Sequence, residues 1–432
     1  MHWMHQEATK CGKDDGCWTG GIIFDEMAIQ EDLHISSTGG RWKLVGFVDM
    51  GKDNEVFDYL LKGRREPLLA THVLQLVYLA DNGFRFPICH YPTKEATCPE
   101  ITNIFWKAVS VLSDWGFQVH YTCMDGASHN RSFINVHFDG SPRDEAFTMA
   151  NLYNPAQKIV FLMDPSHIFK KIRNNLLKSG KAKFHVRQLQ HQGNDISWDH
   201  WIKAYRWDCD RNSVRVHRKL TDEHIYPNQR QKMRNKLAEE VLNEDMLNLM
   251  KDYKESVAST EVDSTIELLE NTSRLIKNFR DSRPIMNLED ERLKVNREVL
   301  DWFVNWEKEI REEVSMSKKE KQAALLSFQT HDDIASLLMG FQQLCCHKFQ
   351  QKVKSIVPSR VNSDIVENIF CQQRAKFNGA NTNPTYLQYC NTMNSVILGQ
   401  STNSRMSNVG KNCSAPFALS LACPLKQKVI RM

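Results

Sequence analysis

The sequence contains no CxxC pair, no apolar run approaching the roughly 18 residues of a membrane-spanning helix, and no GxxxxGK[ST] loop. Without CxxC pairs, the twelve cysteines do not suggest a zinc ribbon. Cys11 and Cys17 lie near His2 and His5, but their spacing suits a ligand set poorly, and free thiols in a reducing compartment fit better. Without a long apolar run, no membrane helix is expected. Met1 to Trp18 lacks the apolar core of a secretory signal, which points inside the cell. The missing phosphate loop excludes nucleotide binding by a Walker motif. Internal repeats are absent, and residues 232–326 carry no heptad stripe sustained over three or four heptads, which argues against an interaction rod.

What is present is the composition of a globular chain of two or three domains: 432 residues, 41% hydrophobic, 25% charged, with ten tryptophans to anchor cores. The net charge of +4 conceals an asymmetry. Between Pro165 and Lys236 there are 17 Lys/Arg against 6 Asp/Glu, so the rest of the chain is acidic. Such a basic block is the footprint expected for a polyanionic partner, and charge alone equally suits a solvated face.

Residues 20–163 read as mixed α/β. Gly21 to Ile29 and Trp42 to Met50 predict strands, with Gly39-Gly40 as the turn between them. Thr71 to Leu79 and Phe84 to His90 flank Asp81-Asn82-Gly83, a hairpin signal. Pro99 opens a helix over 100–115, and strands follow at Gln118 to Met124 and Lys158 to Met163. This order fits one mixed sheet with helices against it. Beyond Pro165 the spacing turns helical, over 232–253, 264–280, 287–313 and 318–326. A last helix is expected from Asp364 to Arg374 behind an Asn362-Ser363 cap, and a Ser/Asn-rich tail from about Gly399 reads as poorly ordered.

Asp25 interrupts an apolar strand, where an unpaired carboxylate would cost several kcal/mol. Asp125 ends another strand just before Gly126, and Glu367 lies one turn into the late helix. If the two strands are neighbours, the three acids can converge, and they would repel unless a divalent cation lay among them. Mg2+ favours such oxygen ligands, and two ions about 3.5–4 Å apart would serve phosphodiester chemistry. The competing reading is structural: an Asp before Gly is commonly a turn residue, and a strand Asp can cap a neighbouring loop.

The strings around these acids resemble P-element-type transposases, the group that includes the THAP-domain transposases. They are GGIIFDEMAIQ (20–30), GRWKLVGFVDMG (40–51), CMDGASHN (123–130), MDPSHIFKKIRNNLL (163–177), KLTDEHIYPNQRQKMRNKLA (219–238) and VENIFCQQRAKFNGANTNPTYLQY (366–389). The resemblance implies an RNase H-like mixed sheet with flanking helices, interrupted by a mainly α-helical insertion. It implies boundaries at 19–164 for the first part, 165–345 for the insertion and 346–398 for the C-terminal part, leaving 1–18 unassigned and 399–432 as tail. It carries the acidic triad onto Asp25, Asp125 and Glu367 as the catalytic and metal-holding residues. GTP is implied as a non-hydrolysed cofactor, with Asp364 on the guanine and Lys232 and Asp281 as further contacts. Asp281-Ser282-Arg283 departs from the Asn-Ser-Arg of the family pattern. Asp164-Pro165-Ser166-His167 reads as a structural turn, with Lys170, Lys171 and Arg173 positioned for phosphate.

The implied activity is Mg2+-dependent DNA cleavage and strand transfer in the nucleus, on transposon ends and target DNA, by a homo-oligomer. Relatives carry a zinc-binding THAP domain and a coiled coil ahead of the catalytic strand. Here that strand starts about 20 residues from Met1 with no C2CH pattern before it. The expectation is therefore a truncated copy, an incomplete gene model or a domesticated core, without recognition of specific ends. The alternative is a transposase-derived protein that binds nucleic acid or GTP without catalysis.

Overall fold

The structure, a computed structural model, describes residues 1–10, 15–38, 41–62, 67–138, 147–180, 185–211, 214–258, 260–376 and 383–402. The expected Gly39-Gly40 turn, Cys11 and the tail beyond 402 lie outside them. The strands are β1 (Thr19–Ala28), β2 (His34–Thr38), β3 (Arg41–Val45), β4 (His72–Ala80), β5 (Arg85–Thr93), β6 (Gln118–Met124), β7 (Thr148–Asn151), β8 (Asn154–Met163), β9 (Leu189–His191) and β10 (Asn194–Ile196). Among them run helices α1 (His2–Lys10), α2 (Lys52–Lys62), α3 (Cys98–Asp114), α4 (Ser128–Phe138) and α5 (Pro165–Leu176). The later helices are α6 (Trp198–Asp210), α7 (Asp222–Ile225), α8 (Asn235–Glu240), α9 (Glu244–Val257), α10 (Asp263–Phe279), α11 (Glu291–Glu312), α12 (Lys318–Ala324), α13 (Phe328–Gln350), α14 (Asp364–Ala375) and α15 (Tyr386–Thr402).

Six strands form one mixed sheet in the order β5-β4-β1-β6-β8-β7. β1, β6 and β8 are parallel neighbours, while β4, β5 and β7 add antiparallel flanks. The parallel strands carry buried stretches, Gly20 to Phe24, Val119 to Met124 and Ile159 to Met163, because both faces are covered there. On one face Phe24, Phe105, Phe133 and Phe161 interlock with ring centroids 5.3 to 5.9 Å apart, joining the sheet to α3 and α4. On β8 lies α13, close enough that a Cβ at Gly340 would meet Leu162 at 2.6 Å. The large region that follows is mainly helical, as an inserted domain would be, and its stacked Trp198 and Trp201 belong to the same buried cluster as the sheet. Among the described residues no helix is long and apolar enough to cross a membrane, and every described cysteine is free.

Several expectations change. Residues 42–50 do not make a strand beside β1. β3 pairs instead with β2, a strand the sequence reading missed, in a separate hairpin whose Ile35, Trp42 and Leu44 are exposed. The helix expected over 232–253 divides, because Asn243 caps α9 by accepting the Met246 N–H at 3.1 Å. α15 was not foreseen in its polar sequence, yet Tyr389, Met393 and Val396 recur at helical spacing and are buried. The expected boundary at 345 falls within α13.

Candidate metal centre

Register brings the first two acids together. The last paired residues of β1 and β6 are Ile23 and Cys123, and Asp25 and Asp125 each stand two residues further on. Side chains two apart share a face, so both carboxylates leave the same end of adjacent parallel strands. Asp164 follows immediately after β8, whose Met163 pairs with Met124. The chain then enters α5, which carries His167, and α14 brings Glu367 from far along the sequence.

His167 stands among these acids. Its Nε2 is 3.1 Å from Glu367 Oε1 and 4.0 Å from Asp164 Oδ2, and its Nδ1 is 3.9 Å from Asp125 Oδ2. Burial disfavours the imidazolium, but Glu367 and Asp164 outweigh it and raise the pKa. Burial likewise acts against ionised Glu367 and Asp125. The His167 contact outweighs it for Glu367, and His167, the Ala127 N–H and Asn130 outweigh it for Asp125, so both stay below the ordinary range. Asp125 Oδ1 accepts Asn130 Nδ2 at 2.6 Å and the Ala127 N–H at 3.0 Å.

Asp25 differs. Desolvation, followed by repulsion from Asp125, pushes its carboxyl up to about 7. Its Oδ1 accepts the adjacent Glu26 N–H, and beside it opens a cleft of about 340 Å3 lined also by Glu26, Glu95 and Asp125. His167 and Glu367 do not line that cleft.

Asp164, His167 and Glu367 have ligand atoms within 4.8 Å of one another and form a candidate triad for one divalent ion. Asp164 is the most committed of the three: Oδ1 caps α5 through the Ser166 N–H at 2.8 Å, and Oδ2 accepts the Ser363 hydroxyl. Asp25 accepts one donor, the Glu26 N–H, whereas Asp125 and Glu367 each accept two, both on a single oxygen. Hard oxygen donors around uncompensated buried charge fit a divalent cation.

Of the nucleotide contacts suggested by resemblance, the Asp364 and Asp281 carboxylates hold arginines, and Lys232 is tied through its backbone. Asp364 Oδ2 accepts from Arg280 NH1 at 3.0 Å. Asp281 is bound by Arg283 at 2.6 Å and Arg292 at 3.2 Å, and Arg283 leads the effects that lower its pKa. The Lys232 carbonyl accepts from Arg173 at 2.7 Å. Lys171 and Arg173 thus do not present themselves to phosphate as expected. Lys171 Nζ binds Asp333 Oδ2 at 2.6 Å and the Gly126 carbonyl at 3.1 Å, while Arg173 is buried. A Cβ at Gly126 would lie 1.7 Å from Lys171 Nζ, so this approach needs glycine. Lys178, Arg218, Lys219 and Arg230 remain exposed.

Sequence reasoning undervalued His167 and did not identify Asp333 or Arg280. The Asp164-Pro165 pair does signal a helix start, with Pro at the first helical position. That signal describes the turn and says nothing of the imidazole three residues on.

Residues 5–137 match the family described as TNP-like, RNase H N-terminal domain. The match spans β1 to β6 and most of α4. The fold extends further: the chain is similar to the Drosophila P element transposase in its strand transfer complex, with a TM-score of 0.68 at 16% identity, covering 91% of this chain and 79% of that one. At that identity the likeness concerns the fold. No curated protein sequence matches the chain.

Proposed function

We propose that this chain is a transposase catalytic core that cleaves and rejoins DNA with a divalent metal held by Asp25, Asp125 and Glu367. The observation that supports the reading is the register that brings Asp25 and Asp125 to one end of adjacent parallel strands, with Glu367 close enough to add to the repulsion on Asp25. A bound Mg2+ would supply Lewis-acid activation of water or a 3′-hydroxyl and steady the leaving oxygen, and two ions are the finer form of the reading. Asn130 and the Ala127 N–H orient Asp125, and His167 balances the acids' charge through its contact with Glu367. Division of the chain into an RNase H-like part (19–164), an insertion (165–345) and a returning part (346–398) belongs to the same reading.

Transposon ends and target DNA as partners, assembly into a homo-oligomer, and action in the nucleus are supported by the fold likeness and the sequence resemblance. GTP as a non-hydrolysed cofactor rests on the resemblance alone. Asp364 and Asp281 already hold arginines, so as they stand these carboxylates do not receive guanine. Incubation of the protein with plasmid DNA and Mg2+ or Mn2+ tests the reading. Metal-dependent nicking lost in Asp125→Asn supports it, and nicking unchanged in that variant overturns it.

The His167–Glu367 contact favours a second reading, a derived nucleic-acid-binding protein in which imidazolium takes the metal's place. Affinity that falls steeply with salt and no nicking under any metal would select it.

A further inference from the structure

We infer that Arg280 is a positioning residue for the carboxylate site, tying the helical region to the first turns of α5 and α14 and so fixing where His167 and Glu367 stand. This rests on the metal-site reading above. Arg280 caps the C-terminal end of α10, where a cation is favoured by the unsatisfied carbonyls. Its guanidinium reaches three acceptors on three other elements. NH1 donates to Asp364 Oδ2 at 3.0 Å, NH2 donates to Ser166 Oγ at 2.8 Å and to Glu239 Oε1, and Nε donates to Glu239 Oε2 at 3.1 Å.

Each acceptor is a close neighbour of the site. Ser166 immediately precedes His167 on α5, and Asp364 lies one turn before Glu367 on α14. Glu239 shares α8 with Asn235, whose amide is 3.4 Å from Glu367 Oε1. One planar group therefore joins the three helices whose side chains surround Glu367. The paired contact with Glu239 fixes the plane of the fork, and that plane directs the remaining N–H groups at Ser166 and Asp364. A lysine would keep the charge, but as a single ammonium on a flexible stem it would not hold three acceptors in a fixed arrangement. This separates positioning from simple neutralisation of nearby acids.

Calorimetric titration of Mn2+ into the full chain provides the test, comparing wild type, R280K, the triple variant R280Q/E239Q/D364N and E367Q. The triple variant removes the arginine with both its acidic partners and leaves no unmatched buried charge, so it supplies the answer should R280K fail to fold. The expected result is Mn2+ affinity lowered about tenfold or more in R280K and the triple variant, in proteins whose melting shows them folded, as for losses of groups that orient metal ligands. Wild-type affinity in folded R280K or in the triple variant, with binding lost in E367Q, overturns the inference and leaves the metal site standing. Wild-type affinity in E367Q overturns the metal-site reading itself, and this inference with it.

Discussion

The two sides of the site use the same chemistry in opposite surroundings. At the strand ends Asp25 is desolvated beside Asp125, and its carboxyl is pushed up to about 7. At the helix starts Glu367 faces His167 and Asn235, and Asp364 faces Arg280. The helix side therefore supplies cationic partners to Glu367 and, through His167, to Asp125, whereas Asp25 is the acid left least compensated. Asp164, His167 and Glu367 have ligand atoms within 4.8 Å of one another, and the proposed ion would be drawn from that group toward Asp25, where repulsion is least relieved.

The largest expected effect breaks the strand side. Asp25→Asn or Asp125→Asn should lower metal-dependent DNA nicking by about 1,000-fold or more, since the metal's contribution to such reactions is several kcal/mol. In the same experiment Asp25→Asn should raise the melting temperature of the metal-free protein, because a buried charge is removed. A lower melting temperature would mean that Asp25 is already compensated.

Next comes the buried tie between the two regions. Asp333, nearly inaccessible on α13, binds Arg131 at 2.8 Å and Lys171 at 2.6 Å. Asp333→Ala leaves two cations unmatched and should cost about 3–5 kcal/mol in denaturant titration. A loss below about 1 kcal/mol would mean that water screens this network as at a surface pair.

The pH response sharpens the contrast further. A carboxyl whose folded pKa lies above its unfolded value stabilises fully below the unfolded value and loses that contribution as pH rises through the folded one. For Asp25 that window runs from 3.8 to about 7. The melting temperature of metal-free wild type should thus decline across this window relative to Asp25→Asn, and saturating Mg2+ should narrow the gap. Parallel curves for the two proteins would remove Asp25 from the account. The smallest effect lies far from the acids: Asn243→Ala removes the α9 cap and should cost about 1 kcal/mol, with nicking unchanged.

Much of the sheet was legible because its signals are local. Gln118 to Met124 is a strand as expected, and Pro99 falls at the start of α3. Asp25 and Asp125 stood out because a carboxylate within or just past an apolar strand needs an explanation, and the register of β1 and β6 brings them to one end of their pairing. The β2–β3 hairpin was missed because Trp42 and Leu44 resemble core residues although they are exposed. His167, Arg280 and Asp333 were illegible for another reason. Their meaning lies in partners 200, 84 and 202 positions away, and no local pattern announces such a pairing. Asn362-Ser363 was expected to cap α14, and it does: Ser363 is the cap residue with its hydroxyl turned to Asp164, while the Asn362 side chain accepts the Asp364 N–H.

Direct binding of Mn2+, followed by electron paramagnetic resonance on wild type and on Asp25→Asn, Asp125→Asn and Glu367→Gln, tests the central claim most closely. The account predicts a bound ion in wild type and affinity lowered at least about tenfold in each of the three variants. Undiminished binding in all three, or none in the folded wild-type protein, would contradict it.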